Sequence, residues 1–187
     1  MKLKIVKFKR VKSTNDEAIK LIRSDMYLLG LVSTDSQTKG RGTMGKKWIS
    51  HKGNIFISIF FKVNLIKIKI ENYLTINAKI IKKILSKYTK KIIKIKKPND
   101  LLVDGKKICG ILQEVIDHKK EKYLITGIGI NTKIATANKY FKYTSLKKNS
   151  NKKINNKVII NTIKKNYDKL IYDINNHNSL YIKKMYK

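Results

Sequence analysis

An Asp-Gly pair at positions 104 and 105 stands between two β-rich runs, residues 101–103 and 106–116. Asp-Gly readily takes the two positive φ values of a type I′ turn, whose twist matches that of paired strands. A second polar turn at 117–121 leads into another β-rich run at 123–130, so three adjacent antiparallel strands are expected. Upstream, residues 3–8 alternate apolar and basic, the period of a half-exposed strand. Residues 28–34, 54–61 and 92–95 read as further strands, and Pro98 stops the last of them because it has no N–H to donate. Thr14 with Glu17 forms a capping-box pattern ahead of an apolar face of Ala18, Leu21 and Ile22. Helical spacing recurs from Tyr73 to Tyr88, with the helix ending near Lys90, and again through Ile159, Ile163, Tyr167, Leu170 and Ile174. A short tail follows with Leu180 and Ile182, and the polar stretch 131–156 reads as a long surface connection. Strands that come in runs rather than in βαβ alternation give an α+β class, a largely antiparallel mixed sheet with helices packed on one side. A chain of 187 residues is long enough for one domain, spanning 1–187, with one substantial core.

The formal charge of +32 raises nucleic acid as a partner. Its distribution argues against that reading. Lysines are spread over strands, helices and loops alike, and arginine, the better reader of phosphates and base edges, occurs only at Arg10, Arg23 and Arg41. A nucleotide bias acting on surface positions accounts for a chain this rich in Lys, Ile and Asn. Cys109 is the only cysteine and the start MKLKIVKFKR has no apolar signal region, so a reducing compartment and a cytoplasmic location are expected. The apolar run at 55–61, interrupted by Ser58, is too short for a membrane span, which needs roughly 18 residues or more. His51, His118 and His177 lack metal-ligand spacing, and Cys109 inside an apolar strand reads as a buried structural thiol.

Three segments carry chemistry. GRGTMG at 40–45 fits G-x-G-x-x-G and comes within one residue of a P-loop. The P-loop needs Ser or Thr where Lys47 stands, and both motifs need a following helix where residues 48–61 read as extended. Three glycines among Lys39, Arg41, Lys46 and Lys47 still describe a loop whose backbone N–H groups can approach an anion. KKPND at 96–100 and KKICGILQE at 106–114 crowd Asn99, Asp100, Lys106 and Lys107 at the ends of apolar strands, where functional groups commonly lie. GIGIN at 127–131 places two glycines inside a strand, a mark of close approach by a ligand or another backbone.

Read in order, STN (13–15), QTKGRGTMGKKW (37–48), KKPNDLLVDGKKICGILQE (96–114) and GIGIN (127–131) resemble the catalytic core of the biotin protein ligases over about residues 3–135. The resemblance implies the biotin/lipoate ligase catalytic-domain fold. It implies an enzyme that activates biotin with ATP and Mg2+ to biotinyl-5′-AMP, then transfers biotin to a lysine of the biotin carboxyl carrier protein of acetyl-CoA carboxylase. By the same resemblance Lys107 and Arg41 are the catalytic cations. Ser13, Thr14, Asn15, Gln37, Gly40, Arg41, Gly42, Thr43, Lys107 and Gly110 form the biotin site. Arg41, Gly45, Trp48, Lys96, Asn99, Asp100 and Asn131 hold ATP and the adenylate, with Asp100 toward magnesium. Thr43 stands where the family carries a second arginine and Lys97 where it carries an aromatic residue; the lost cation at Thr43 leads us to expect a leakier intermediate or slower activation. A minimal form is also expected, with no N-terminal helix-turn-helix, hence no specific DNA binding, and no small C-terminal β domain; a homodimer is left open. A lipoate or octanoate ligase or transferase of the same fold is the nearest alternative, and a basic nucleic-acid-binding protein the more distant one.

Overall fold

The structure, a computed structural model, describes residues 2–65, 67–135 and 142–186. Seven strands form one sheet: β1 (Lys4–Phe8), β2 (Gly30–Thr34), β3 (Ile55–Lys62), β4 (Ile93–Lys96), β5 (Asp100–Val103), β6 (Lys106–His118) and β7 (Glu121–Ile130), in the order β1-β2-β3-β7-β6-β5-β4. Only β1 and β2 run parallel, and every other pair is antiparallel. The α+β class and the largely antiparallel mixed sheet are therefore as expected.

The two hairpins follow from their turns. Asp104 and Gly105 have φ of 47° and 73°, the left-handed pair that a type I′ turn requires. The β6–β7 turn is tighter than the polar stretch 117–121 suggests: the strands run through to His118 and Glu121, and Lys119 and Lys120 alone turn the chain with φ of 48° and 64°. That conformation is unfavourable for side chains with a Cβ. Asp25 anchors the turn from below, accepting from Lys119 Nζ at 2.6 Å and lying 2.9 Å from His118 Nε2.

The helices are α1 (Thr14–Arg23), α2 (Ile70–Leu85), α3 (Asn156–Asn176) and α4 (Ser179–Met185). Strand parity decides where they sit. Ile55, Ile57, Ile59 and Phe61 of β3 point into a large cluster with Ile81 and Ile84 of α2 and Ile163 and Tyr167 of α3. Phe60 points the other way, into a cluster with Val32, Ile125, Ala18 and Ile22. So α2 and α3 share one face as expected, but α1 covers the opposite face, which corrects the one-sided packing. The reason is visible in β3, which is buried over seven successive residues: a nearly unbroken apolar run is the pattern of a strand covered on both faces.

Four other expectations change. Ser13, not Thr14, is the N-cap of α1, without a side-chain cap bond, and Glu17 pairs with Lys20 instead of closing a capping box. Helix α2 ends at Leu85 rather than near Lys90. The tail after α3 folds into α4, capped by Asn178 and held by buried Ile182. Of the supposed surface connection, residues 136–141 lie outside the described residues, whereas Thr144, Ser145 and Leu146 are buried.

One buried polar network ties α2 and α3 to the sheet. Tyr167 Oη donates to Asn77 Oδ1 at 2.8 Å, and Asn77 Nδ2 donates to Gln113 Oε1 at 2.9 Å and Thr126 Oγ1 at 3.2 Å. Burial pushes the Tyr167 hydroxyl pKa up, so it remains a donor. Tyr167→Phe strands the Asn77 carbonyl and is expected to cost about 1–2 kcal/mol, a fall in Tm of roughly 3–6 °C in a chain of this size. Thermal melts of the two proteins test this, and an unchanged Tm would contradict it.

Candidate active site

Helix α1 packs chiefly on β2, β3 and β7. Farther across the same face, over β7, β6 and β5, the sheet carries Gly127, Gly129 and Gly110. Register places Gly129 beside both Phe56 and Gly110, and Gly127 beside Ser58. Without side chains there the sheet floor is hollow, and two groups reach into it. A Cβ on Gly129 would meet the Trp48 ring at 2.4 Å, one on Gly110 would meet it at 2.6 Å, and one on Gly127 would meet Asn15 Oδ1.

Trp48 arrives on the glycine loop. Thr38 N donates to Val11 O and Lys39 N to Lys12 O, which fix the loop's entry. Trp48 N donates to Gly40 O, and Arg41 bridges to Lys47 across a short 3-10 turn at Thr43–Gly45. Gly40 permits this closure, because a Cβ there would sit 2.5 Å from the Trp48 carbonyl oxygen.

Lys107 reaches the same hollow through a bulge in β6. Asp100 pairs with Gly110 and Leu101 with Cys109, but Leu102 pairs with Lys107, so Ile108 is an extra residue. Ile108 and Cys109 are both buried in the α2–α3 core. Strict alternation would turn Lys107 toward that core; the extra residue turns it back to the glycine face, the usual effect of a bulge. There Lys107 Nζ lies 2.6 Å from Asp100 Oδ1 and 5.3 Å from the centre of the Trp48 ring. Side-chain exposure of only 15% for Lys107 and 16% for Asp100 keeps this pair largely out of water.

A chain of polar contacts lines the α1 side. Ser58 Oγ contacts Thr14 Oγ1 at 2.7 Å and Asn15 Oδ1 at 2.5 Å. Thr14 N donates to Gln37 Oε1 at 2.8 Å, and Asn15 Nδ2 donates to Glu114 Oε2 at 2.5 Å. This recruitment of Thr14 explains the lost capping box. Arg41 Nη2 donates to both Glu114 oxygens, at 2.9 and 2.8 Å, and Arg41 Nη1 donates to Asp16. Burial alone would lower the Arg41 pKa, but the hydrogen bonds that Arg41 donates to Asp16 and Glu114 outweigh it and hold the pKa above its ordinary value.

Of the expected biotin residues, Ser13, Thr14, Asn15, Gln37, Arg41, Gly42, Thr43, Lys107 and Gly110 line one pocket of about 470 Å³, and so do Trp48, Asn99 and Asp100 of the expected adenylate set. That space includes the open mouth of the pocket. Gly40 and Gly45 line a neighbouring groove instead. Lys96, opposite Asp100 at the end of β4, does not line the pocket. Asn99 lines it, but its amide donates to Ile111 O at 2.7 Å, a structural bond. Asn131 is fully buried just past β7, and its Nδ2, like Trp48 Nε1, is a buried donor with no partner among the described residues. The pocket and its surroundings also use Ser58, Glu114 and Asp16, to which sequence reasoning gave no role. The available signals were a hydroxyl breaking an apolar strand and a carboxylate at the end of GILQE. Burial pushes the Cys109 thiol pKa up, in keeping with an inert structural thiol.

A family model described as the biotin/lipoate A/B protein ligase family matches residues 7–131, well over half of the chain. The chain belongs to that family. A curated relative, the bifunctional ligase/repressor BirA of Bacillus spizizenii, is 32% identical over 123 residues, covering 65% of this chain and 38% of BirA. The chain thus spans less than two fifths of that relative's length. Among solved structures, the Leishmania major biotin protein ligase in complex with biotin is 27% identical with a TM-score of 0.72, over 85% of this chain and 70% of that one. The Aquifex aeolicus biotin protein ligase in complex with biotin and ATP shares the fold with a TM-score of 0.76 at 24% identity, over 94% of this chain and 73% of that one. No described helix is long and apolar enough to cross a membrane.

Proposed function

We propose that this family member condenses biotin with ATP to biotinyl-5′-AMP and pyrophosphate, then passes the biotinyl group to a lysine of a biotin carboxyl carrier protein and releases AMP. The observation that carries the reading is the convergence of four distant sequence motifs on one glycine-floored pocket, with Lys107 aimed into it. Solved relatives described as binding biotin, or biotin and ATP, support the same choice of ligands.

In the first step the biotin carboxylate attacks the α-phosphorus and the bond to pyrophosphate breaks. Two anions must meet, so a fixed cation in a largely dry site lowers the barrier. Lys107 supplies that charge. Arg41 is already paired with Asp16 and Glu114, and its role in this reading is to hold the glycine loop against α1 and β6. Trp48, whose Nε1 has no partner among the described residues, lines the pocket and is the donor this reading gives to the nucleotide, whereas Asn131 is fully buried and does not line it. Among the described residues no three His, Cys, Asp or Glu side chains cluster as a metal site. Magnesium brought in on ATP needs only one or two protein carboxylates, a requirement that Asp100, the one carboxylate lining the pocket, fits. When bound, the ion offsets phosphate charge. In the second step a neutral carrier amine attacks the anhydride carbonyl, AMP leaves and the amine proton is released; the loop shields the anhydride from water until then.

Incubation with biotin, MgATP and a biotin carrier domain, read by carrier mass, tests the reading. Biotinylation by the wild type and its loss in Lys107→Ala are expected. Lipoylation without biotinylation in parallel reactions would favour the lipoate alternative instead. Thr43, in the turn at the pocket rim, leaves that rim one cation short of the family pattern, so Thr43→Arg is expected to slow release of free adenylate. Equal release by the two proteins would overturn this.

A further inference from the structure

Lys107 pairs with Leu102 of β5 on one side, but β7 pairs β6 no farther than Cys109, which lies opposite its last residue Ile130. On that side the N–H and C=O of Lys107 lie past the end of β7, and such backbone groups require partners. They find them in a segment beyond the family-matched residues. Lys107 N donates to Lys142 O at 2.8 Å, and Thr144 N donates to Lys107 O at 3.0 Å, so residues 142–144 run beside Lys107 as a parallel bridge centred on Tyr143. The carbonyl of the extra residue Ile108 accepts from Asn131 N at 2.9 Å.

The segment is itself held firmly. Leu146 N donates to Asn131 O at 2.7 Å and Lys147 N to Thr132 O at 2.8 Å. Leu146 is fully buried, and Thr144 and Ser145 nearly so. Asn149 Nδ2 donates to Thr144 Oγ1 at 2.7 Å and to Ser145 O at 2.8 Å. A polar stretch that sequence reasoning assigned to the surface is thus a strap anchored in the core, and its contact with the sheet falls on the residue whose direction the site depends on.

We infer that residues 142–146 are part of the catalytic apparatus: their backbone holds the β6 bulge in the register that points Lys107 at the pocket, and Thr144 is a positioning residue acting through Lys107. Its bonds to Lys107 are made to the backbone alone, and through them the strap acts on the aim of the ammonium group. The structural half of this inference stands on the bonds above; only its kinetic consequence rests on the proposed ligase activity.

Thr144→Pro removes the N–H that Lys107 O accepts, whereas Thr144→Ala keeps it. The first measurement needs no turnover: acetic anhydride labelling of the full chain, with Lys107 acetylation followed by mass spectrometry and normalised to Lys62, which pairs with Glu121 on the far end of β3. Thr144→Pro is expected to raise Lys107 labelling severalfold, as the amine swings away from Asp100, and Thr144→Ala to leave it near the wild-type rate. In the adenylation assay Thr144→Pro is expected to lower kcat about 100-fold with little change in KM for biotin or ATP, because small misplacement of a catalytic group costs rate rather than ground-state affinity. Wild-type labelling in folded Thr144→Pro, or equal changes in the Pro and Ala variants, would overturn the inference. Should Thr144→Pro not fold, Leu146→Ala loosens the strap's anchor while keeping every bond to Lys107. It is expected to raise Lys107 labelling, and a folded Leu146→Ala protein with unchanged labelling would equally overturn the inference. An inactive wild type would defeat the ligase reading but leave the labelling result to decide the strap.

Discussion

Gly129→Ala is expected to lower biotin adenylation by about two orders of magnitude in a protein that remains folded. The methyl group would stand 2.4 Å from Trp48 Cε2 and 2.6 Å from both Cζ2 and Nε1, closer than carbon atoms can approach. Something must move, and the surroundings determine which. Gly129 lies in a central strand paired on both sides, with Phe56 of β3 and Gly110 of β6, so the backbone resists displacement. The ring belongs to a loop, and its Nε1 has no hydrogen-bond partner among the described residues to hold it down. The ring therefore lifts. It leaves the stack over Gly129 and Gly110 and its place 5.3 Å from Lys107 Nζ, and the methyl group fills floor space that the pocket needs. Because the conflict is relieved by a loop side chain, the Tm should fall by no more than a few degrees, as for substitutions outside the packed core. Adenylation measured by pyrophosphate exchange, beside a melting curve, tests this. Full activity in the folded variant, or a loss that merely follows unfolding, would show that the glycine floor does not shape the site.

Gly129 also shows how far the sequence could be read. GIGIN announced a close approach of some group to a strand, and a close approach is what the structure contains, but the partner could not be named because Trp48 is distant in the chain. The same holds for the polar chain. Asn15, Gln37 and Ser58 meet only after α1 crosses the sheet and the loop folds back on Val11, and none of those long-range pairings leaves a local signature. The hairpin strands were legible because Asp-Gly encodes its own turn, whereas the Lys119-Lys120 turn was blurred because lysine has no preference for positive φ. The two-sided cover of the sheet was available in the unbroken burial of β3 and was masked by Ser58, a site residue in a core strand. The bulge at Ile108 was not legible at all. In sequence, Lys106 to Cys109 reads as an ordinary strand start, and only the pairing with β5 and the strap at residues 142–144 reveals which way Lys107 points.

That direction makes Lys107→Ala the other large effect, and a second substitution separates its two components. Truncation removes the cation from the site, and the loss of a preorganised charge from a reaction centre typically costs a factor of about 10² to 10³ in rate. It also leaves the Asp100 carboxylate, only 16% exposed, without the ammonium 2.6 Å away. A largely desolvated charge without its partner is expected to cost about 1–3 kcal/mol of stability. Both effects lower activity in a simple assay, so Lys107→Ala alone does not distinguish a catalytic lysine from one that merely neutralises Asp100. In the double variant Lys107→Ala, Asp100→Asn the stranded charge is gone, since the amide is a neutral isostere with donors of its own. Its Tm is expected to return most of the way to the wild-type value, while adenylation stays well below that of Asp100→Asn alone, the control for loss of the carboxylate proposed to hold magnesium. Adenylation equal to that of Asp100→Asn, together with restored Tm, would reduce Lys107 to a counterion. Transfer from chemically prepared biotinyl-5′-AMP to the carrier provides the internal comparison. The meeting of two anions is over by then, so that step should suffer less from the loss of Lys107 than adenylation does.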